Sequence, residues 1–488
     1  MIKIFNADKD TYITNRVIGN VIKSGSNVGS AGTLDLFKLY SEKNGYELSR
    51  LLLHFDLTNV DTTQFNINNN FKSYLKLYDV YGGQTCPRNF TTTVYPLSRS
   101  FDEGLGRDIV FYGDYDAANF VQNSVSENWI LSGCNASGSN NENVDYIISS
   151  SAVNDYSCTQ YFTTGEENLL IDVTKIVSGI LTNDIPNSGF RLSLGEIEES
   201  DQHNYFVKRF ASRTAYNGDL HPKLYIQWND AVRNDINNVK FDVINTLYFY
   251  NYDGDGNLTN TFGNDTLTGS NCLTLKFDMP ISGGMYTLLF SGSQFNDGIN
   301  ERIGIYTSSF IIEKTEQLKT LQQISGSIKM LPIWCSNDQA ITYLSGTNVT
   351  INDNQRSNSQ IDMSKYVVSV YSLNEQYDSD CDDVEVRVHI VDKNIMSNLV
   401  KTYINDPGIS PIAHYRIRNV YTNDIIIPFD FVNNSTLMST DVNGNYFMFS
   451  PASLPKDNVY TIDVAILCGA MQKTFNDCST FFKVSDKH

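Results

Sequence analysis

The sequence predicts an all-β protein built as a series of antiparallel sandwiches. Three observations carry that expectation. The 29 Tyr and 27 Phe stand with many Val, Ile and Thr, residues that fit pleated, half-buried surfaces. Short apolar runs recur between Gly, Asn and Asp turns, and no long stretch keeps a 3.6-residue apolar period, so long helices should be nearly absent. Only 19% of residues are charged, and Asn, Ser, Thr and Asp replace them at the surface. At 488 residues the chain exceeds the roughly 250 at which a single core stops growing, so two to four domains are expected.

Strand signals begin at the N-terminus. "SRLLLHFDL" (Ser49 to Leu57), "SYLKLYDVY" (Ser73 to Tyr81), "NLLIDVTKIV" (Asn168 to Val177) and "GFRLSLGEI" (Gly189 to Ile197) are short and β-rich, as are "NYFVKRFAS" (Asn204 to Ser212) and "PKLYIQW" (Pro222 to Trp228). Between them "GCNASGSNNENVD" (Gly133 to Asp145) reads as an exposed, mobile loop. The first domain closes at Trp228. Next, "NTLYFYNYDGDGNLTNTF" (Asn245 to Phe262) reads as strand, tight turn, strand, and "CLTLKFDMP" and "GGMYTLLFSGSQFND" follow. The polar run "INDNQRSNSQ" (Ile351 to Gln360) is a linker before the strand series that opens with "KYVVSVYSLNEQY". The segments from Tyr286 and from Tyr460 share Tyr-Thr, then Phe-Asn-Asp, then an apolar strand, which suggests related modules. Asn443-Gly444 is expected at a two-residue hairpin turn, where positive φ is needed. These signals divide the chain into domains 1–230, 231–354 and 355–488.

A formal charge of −19 argues against nucleic-acid binding and against anionic membranes. The eight Cys contain no C-x-x-C, so no zinc or redox motif is written; free thiols are expected, with Cys468 and Cys478 placed to face each other across a hairpin. No apolar leader and no run of about 18 apolar residues occurs, so neither conventional secretion nor a membrane span is expected. His54, His389 and His414 sit inside apolar strands and read as packed residues. Asp102 and Glu103 are adjacent, so on an extended chain they point to opposite sides. No nucleophile, phosphate-loop or metalloprotease motif is present, so no catalytic residue is assigned and no enzyme is expected. Asp253, Asp255 and Asn257 alternate as calcium ligands do, but an acidic Asp-Gly hairpin turn explains the same residues and is preferred. No other cofactor is implied. The basic island at Lys208, Arg209, Arg213 and Lys223 is notable in so acidic a chain. Strand alternation places Tyr205, Val207, Arg209 and Ala211 on one face and Phe206, Lys208, Phe210 and Ser212 on the other, so the charges form no continuous stripe.

The pieces "DTYI" (Asp10 to Ile13), "NVGSAGTLDL" (Asn27 to Leu36), "SRLLLHFDL", "VYPLSRSFDEGLG" (Val94 to Gly106), "DVTKIV", "NSGFRLSL" (Asn187 to Leu194) and "KRFASR" (Lys208 to Arg213) run in order along the first 230 residues. Together they resemble the DNRLRE (disaggregatase-related) family of jelly-roll carbohydrate-binding modules. Arg50, Arg209, Arg213 and Trp228 are the structural signature. "YRIRNVYTNDIIIPFD" (Tyr415 to Asp430) and "STLMSTDVNGNYFMFSPASLPKDNVYTIDV" (Ser435 to Val464) resemble virion structural proteins of tailed bacteriophages. Those proteins also open with a DNRLRE-like sandwich. The combined resemblance implies an N-terminal jelly roll followed by two smaller immunoglobulin-like sandwiches. It implies a non-enzymatic virion component at the neck, tail or head surface, assembled in the bacterial cytoplasm in multiple copies and touching other virion proteins. The alternative is a glycan-binding adhesion module for host polysaccharide, held through exposed aromatic rings.

Overall fold

The computed structural model describes the chain except residues 63–64, 66–70, 81, 83–84, 111–116, 264, 297–300, 354–365, 382, 393–410, 469–470 and 487–488. Strands make up 49% and helices 7%, arranged as several antiparallel sheets. The chain separates into two compact units. The first holds Ile2–Trp228 and Ala452–Pro455; the second holds Met1, Asn229–Pro451 and Lys456–His488. The linker read at Ile351 to Gln360 falls largely outside the described residues, as do Asn264 and Asp382.

The main strands of the first unit are β1 (Ile2–Asn6), β2 (Lys9–Thr14), β3 (Thr33–Ser41), β4 (Gly45–His54), β5 (Phe71–Leu77), β6 (Phe90–Pro96), β7 (Cys158–Phe162), β8 (Leu169–Asp172), β9 (Phe190–Leu194), β10 (Tyr205–Ala211) and β11 (Lys223–Trp228). They form a four-stranded sheet in the order β1-β11-β5-β8 and a seven-stranded sheet in the order β7-β6-β9-β4-β3-β10, with β2 also on β4. Period-two alternation is clean in β5, where Phe71, Ser73, Leu75 and Leu77 are buried and the residues between them are half-buried. In β9 both faces are buried, and on the outer side Arg191 donates to Cys134 O at 2.9 Å and lies 4.4 Å from the centre of the Tyr146 ring. There Ile13, Leu52, Leu97, Phe101, Trp129 and Cys134 form a second apolar cluster.

Several expectations change in this unit. The segment read as one strand from Asn168 to Val177 breaks at Asp172, and helix α1 (Thr174–Leu181) follows. Asp172 Oδ1 accepts from Thr174 N at 2.9 Å, and Ile176, Val177 and Ile180 then share a buried helical face. The strand through Ile197 stops at Leu194, and the acidic run behind it forms helix α2 (Glu196–Ser200). The loop Gly133 to Asp145, expected to be exposed, is anchored: Asp145 is fully buried and accepts from the amides of Ile130, Leu131 and Ala136 at 2.7, 3.1 and 2.9 Å. In β10 the register against β3 shifts between Tyr205 and Lys208. Strict alternation is lost there, and Val207 and Lys208 are both buried.

The second unit begins with β12 (Ile244–Tyr250), β13 (Leu273–Ile281), β14 (Gly284–Asn296), β15 (Glu301–Ile311), helix α3 (Glu316–Ser325), β16 (Ile328–Cys335), β17 (Thr342–Ser345) and β18 (Val349–Ile351). Thr315 caps α3 at its start, and Gly326, with φ of 75°, ends it. The strands run β12-β15-β14-β13-β16-β17, with β18 also on β16, around a core of Leu247, Phe249, Phe277, Tyr306 and Trp334. Then come β19 (Tyr366–Tyr371), β20 (Gln376–Asp378), β21 (Val384–Asp392), β22 (Ile412–Asn419), β23 (Ile425–Ile427), β24 (Ser439–Asp441), β25 (Gly444–Phe449), β26 (Asn458–Cys468), β27 (Met471–Phe475) and β28 (Phe482–Ser485). They build sheets in the orders β19-β21-β25-β24 and β20-β28-β26-β22-β23, with β27 on β26.

Three local readings are corrected here. Asp441 pairs with Gly444, so the hairpin turn is Val442-Asn443 and only Gly444, φ 111°, needs the positive-φ region. The repeated Phe-Asn-Asp lies before the hairpin at the end of β14 in one copy, at Phe295-Asn296. In the other it follows the hairpin, at Phe475. Cys468 pairs with Met471, whereas Cys478 N donates to Ile462 O, so the two cysteines do not oppose each other.

Candidate functional site

The basic island becomes a set of internal pairs. Lys208 is fully buried in β10; its ammonium donates to Asp79 and, at 2.8 Å each, to the carbonyls of Gly165 and Glu167. The rings of Phe162 and Phe210 flank it at 5.3 and 4.9 Å. One residue on, Arg209 Nε reaches both oxygens of Asp35 at 3.1 Å. Lys223 donates to Asp219 O at 2.8 Å. Beyond the strand, Arg213 grips Glu103 through two nitrogens, and its amide donates to Asp10 Oδ2 at 2.6 Å. Glu103 also accepts from Asp10 N at 2.8 Å, while Asp102 accepts from Val125 N at 3.3 Å, so the adjacent carboxylates serve different neighbours. Burial, helped by the nearby Glu103 and opposed by Arg213, pushes the Asp10 carboxyl up to about 7. Its Oδ1 is buried without a hydrogen-bond partner.

Arg50, on β4, donates from Nε and Nη2 to Glu199 at 3.0 and 2.7 Å and from Nη1 to Gly133 O at 2.6 Å. It thereby fastens α2 and the anchored loop to the sheet. Trp228 ends β11, buried against Phe65 with ring centroids 4.8 Å apart. Among the strand histidines, His54 Nδ1 lies 2.7 Å from Asp8. His414 is buried beside Phe431, and burial lowers its pKa to about 4.

Asp253, Asp255 and Asn257 lie together in a tight turn closed by a bridge between Tyr252 and Leu258. Asp253 Oδ1 accepts from the amides of Asp255 and Asn257 at 3.0 and 2.8 Å, and Asp253 N donates to Asn257 O at 2.8 Å. The geometry makes Asp253 the staple of its own turn. Among the described residues no group of three or more His, Cys, Asp or Glu is placed to hold a metal. Among the described residues no helix is long and apolar enough to cross a membrane.

No protein-family model matches the chain, and no curated protein matches its sequence.

In the second unit Arg416 Nε and Nη2 donate to Asp463 Oδ2 at 2.9 and 2.6 Å, and Arg418 Nε adds a third bond at 3.2 Å. Asp463 has no exposed side-chain surface. Its burial would raise the carboxyl pKa, but the two guanidiniums and the Asp477 amide hold it below the usual range. Arg416 and Asp463 are direct cross-strand partners of β22 and β26.

A cleft of about 660 Å³ also lies in this unit, and nothing in the sequence signalled it. It opens between β12 and β17, the two ends of the β12-to-β17 strand order. Tyr248, Tyr250, Tyr252 and Trp334 line it from one side, with Arg387 of β21 and Tyr446 of β25 on the other. Arg387 Nη1 binds both oxygens of Asp441 at 2.8 Å, its Nε binds Glu385 at 2.8 Å, and the guanidinium lies 4.9 Å from the centre of the Tyr446 ring.

Proposed function

We propose that the chain is a non-enzymatic structural component of a tailed-phage virion, present in many copies at the neck, tail or head surface and bound to other virion proteins. In this reading the first unit is a DNRLRE-like jelly roll and the second carries two immunoglobulin-like sandwiches. One observation supports it above the others. The segments that carry the resemblance are the ones whose charges hold the sheets together. In the first unit they supply Lys208, Arg209 and Arg213, joined to Asp79, Asp35 and Glu103. In the second, Arg416 and Arg418 from one segment meet Asp463 from the other. Charge used as internal fastening suits a protein whose work is to keep its shape and present surfaces for repeated contacts, rather than to convert a substrate.

Purified particles test this directly. Mass spectrometry of particles banded on a density gradient, with antibody-gold labelling, is expected to find the chain in multiple copies at one fixed site. Particles that carry all their appendages and none of this chain would sink the proposal.

A further inference from the structure

We propose that the cleft between β12 and β17 is a binding site for a neutral saccharide. It belongs to the second unit and not to the domain whose resemblance implies sugar binding, and it does not depend on where the protein sits in a particle.

The cleft is lined by consecutive residues of β12, Leu247 to Tyr250, so it meets that strand along its edge rather than on one face. The backbone of that edge is oriented outward. Asp235 N donates to Thr246 O at 2.9 Å, and Thr246 N donates to Asp235 Oδ2 at 2.9 Å, so the Thr246 groups point away from β15. By the two-residue period of an antiparallel ladder, the N–H and C=O of Tyr248 and Tyr250 point the same way, toward the cleft.

These groups restrict the ligand. Arg387 is bound by two carboxylates, so the site carries no free positive charge and offers nothing to a phosphate or another anion. A purely apolar ligand would leave the edge amides of β12 without partners, which is costly on burial. The occupant therefore needs an apolar face for the tyrosine rings and an edge rich in both donors and acceptors. A sugar ring has both: its C–H face packs on aromatic rings, and its vicinal hydroxyls match a row of carboxylate, guanidinium and carboxylate. The tyrosines remain protonated, since burial raises the pKa of Tyr248, Tyr250 and Tyr446, so their hydroxyls can both donate and accept. An extended peptide is the competing occupant of a strand edge, but it alternates single donors and acceptors and makes poorer use of the charged cluster.

The test is a glycan microarray probed with the full-length protein, followed by calorimetric titration with the strongest neutral hit. Tyr252, 58% exposed, and Ser345, also exposed, can be changed without disturbing the core. Tyr252→Ala and Ser345→Tyr are expected to weaken binding about tenfold or more while leaving the melting temperature unchanged. Tyr216→Ala, at a fully exposed ring of the first unit, should bind as the unmodified protein does. The proposal is overturned if no neutral saccharide binds, if binding survives both cleft substitutions, or if the cleft captures members of a random heptapeptide library in preference to glycans. Incorporation into particles is measured separately, so loss of sugar binding and loss of the virion role give different results.

Discussion

Lys208 has no exposed surface, yet its ammonium has a carboxylate, two carbonyls and two ring faces around it. Replacing it by Met leaves Asp79 uncompensated. Lys208→Met is therefore expected to destabilise the first unit by about 3 kcal/mol or more, read from chemical denaturation. Arg213→Ala, at a partly exposed guanidinium, should cost less, about 2 kcal/mol, and act on folding of residues 1–230 rather than on binding. Asp10 behaves differently. Its folded pKa of about 7 lies above the ordinary 3.8, so the folded state holds the extra proton, and stability from this group falls as pH rises from 3.8 to 7. Asp10→Asn keeps an acceptor for the Arg213 amide and removes the charge facing Glu103. It is expected to raise the first unit's melting temperature at about pH 8 and to flatten that slope. His414 has the opposite sign. Burial, opposed by Asp430 and aided by Arg233, lowers its pKa from 6.5 to about 4, so the second unit loses stability as pH falls through that window. His414→Gln should abolish the loss.

At the scale of elements, the loop from Gly133 to Asp145 shows how composition misleads. Its Ser, Asn and Gly are those of an exposed loop, but the Asp145 carboxylate gathers the amides of Ile130, Leu131 and Ala136, while the carbonyls of Gly133 and Cys134 accept from Arg50 and Arg191. Burial pushes the Cys134 thiol up to about 12, which leaves it unreactive. Asp145→Ala removes the one buried carboxylate that these three amides share and is expected to cost about 2 kcal/mol or more. Limited proteolysis should then cut within the loop, where the unmodified protein resists. The strands were legible because apolar alternation states which face is buried: β11 stands where "PKLYIQW" predicted it, and β5 overlaps "SYLKLYDVY" from Ser73 to Leu77, although it starts at Phe71 and stops short of Tyr81. Helix α1 was missed because Val, Ile and Thr fit strands, and only the Asp172 carboxylate turning onto Thr174 starts the helix. The cleft left no sequence pattern. Tyr250, Trp334 and Tyr446 come from strands far apart in the chain, and each alone reads as an ordinary sheet residue.

At the scale of the whole molecule, the two units hold groups whose titration has opposite sign, Asp10 in the first and His414 in the second. Between about pH 7 and pH 4.5, protonation of Asp10 favours the folded first unit, while the low pKa of His414 works against the second. Differential scanning calorimetry is expected to resolve two transitions that move in opposite directions across that range, and Lys208→Met should shift only the first unit's transition. By itself the sequence determined the class: aromatic and β-branched runs between turn residues leave little besides antiparallel sheet, and the Asp-Gly spacing at Asp253 was enough to read a turn. Only the tertiary structure decided what the charges do. Period-two spacing reports which face of its own strand a side chain takes, but not which carboxylate lies across the gap. Asp79, Asp35 and Glu103 are each more than a hundred residues from Lys208, Arg209 and Arg213. Those pairings exist because the strand order closes the sheets there, and "KRFASR" is consequently a set of fasteners within the first unit and no surface for phosphate.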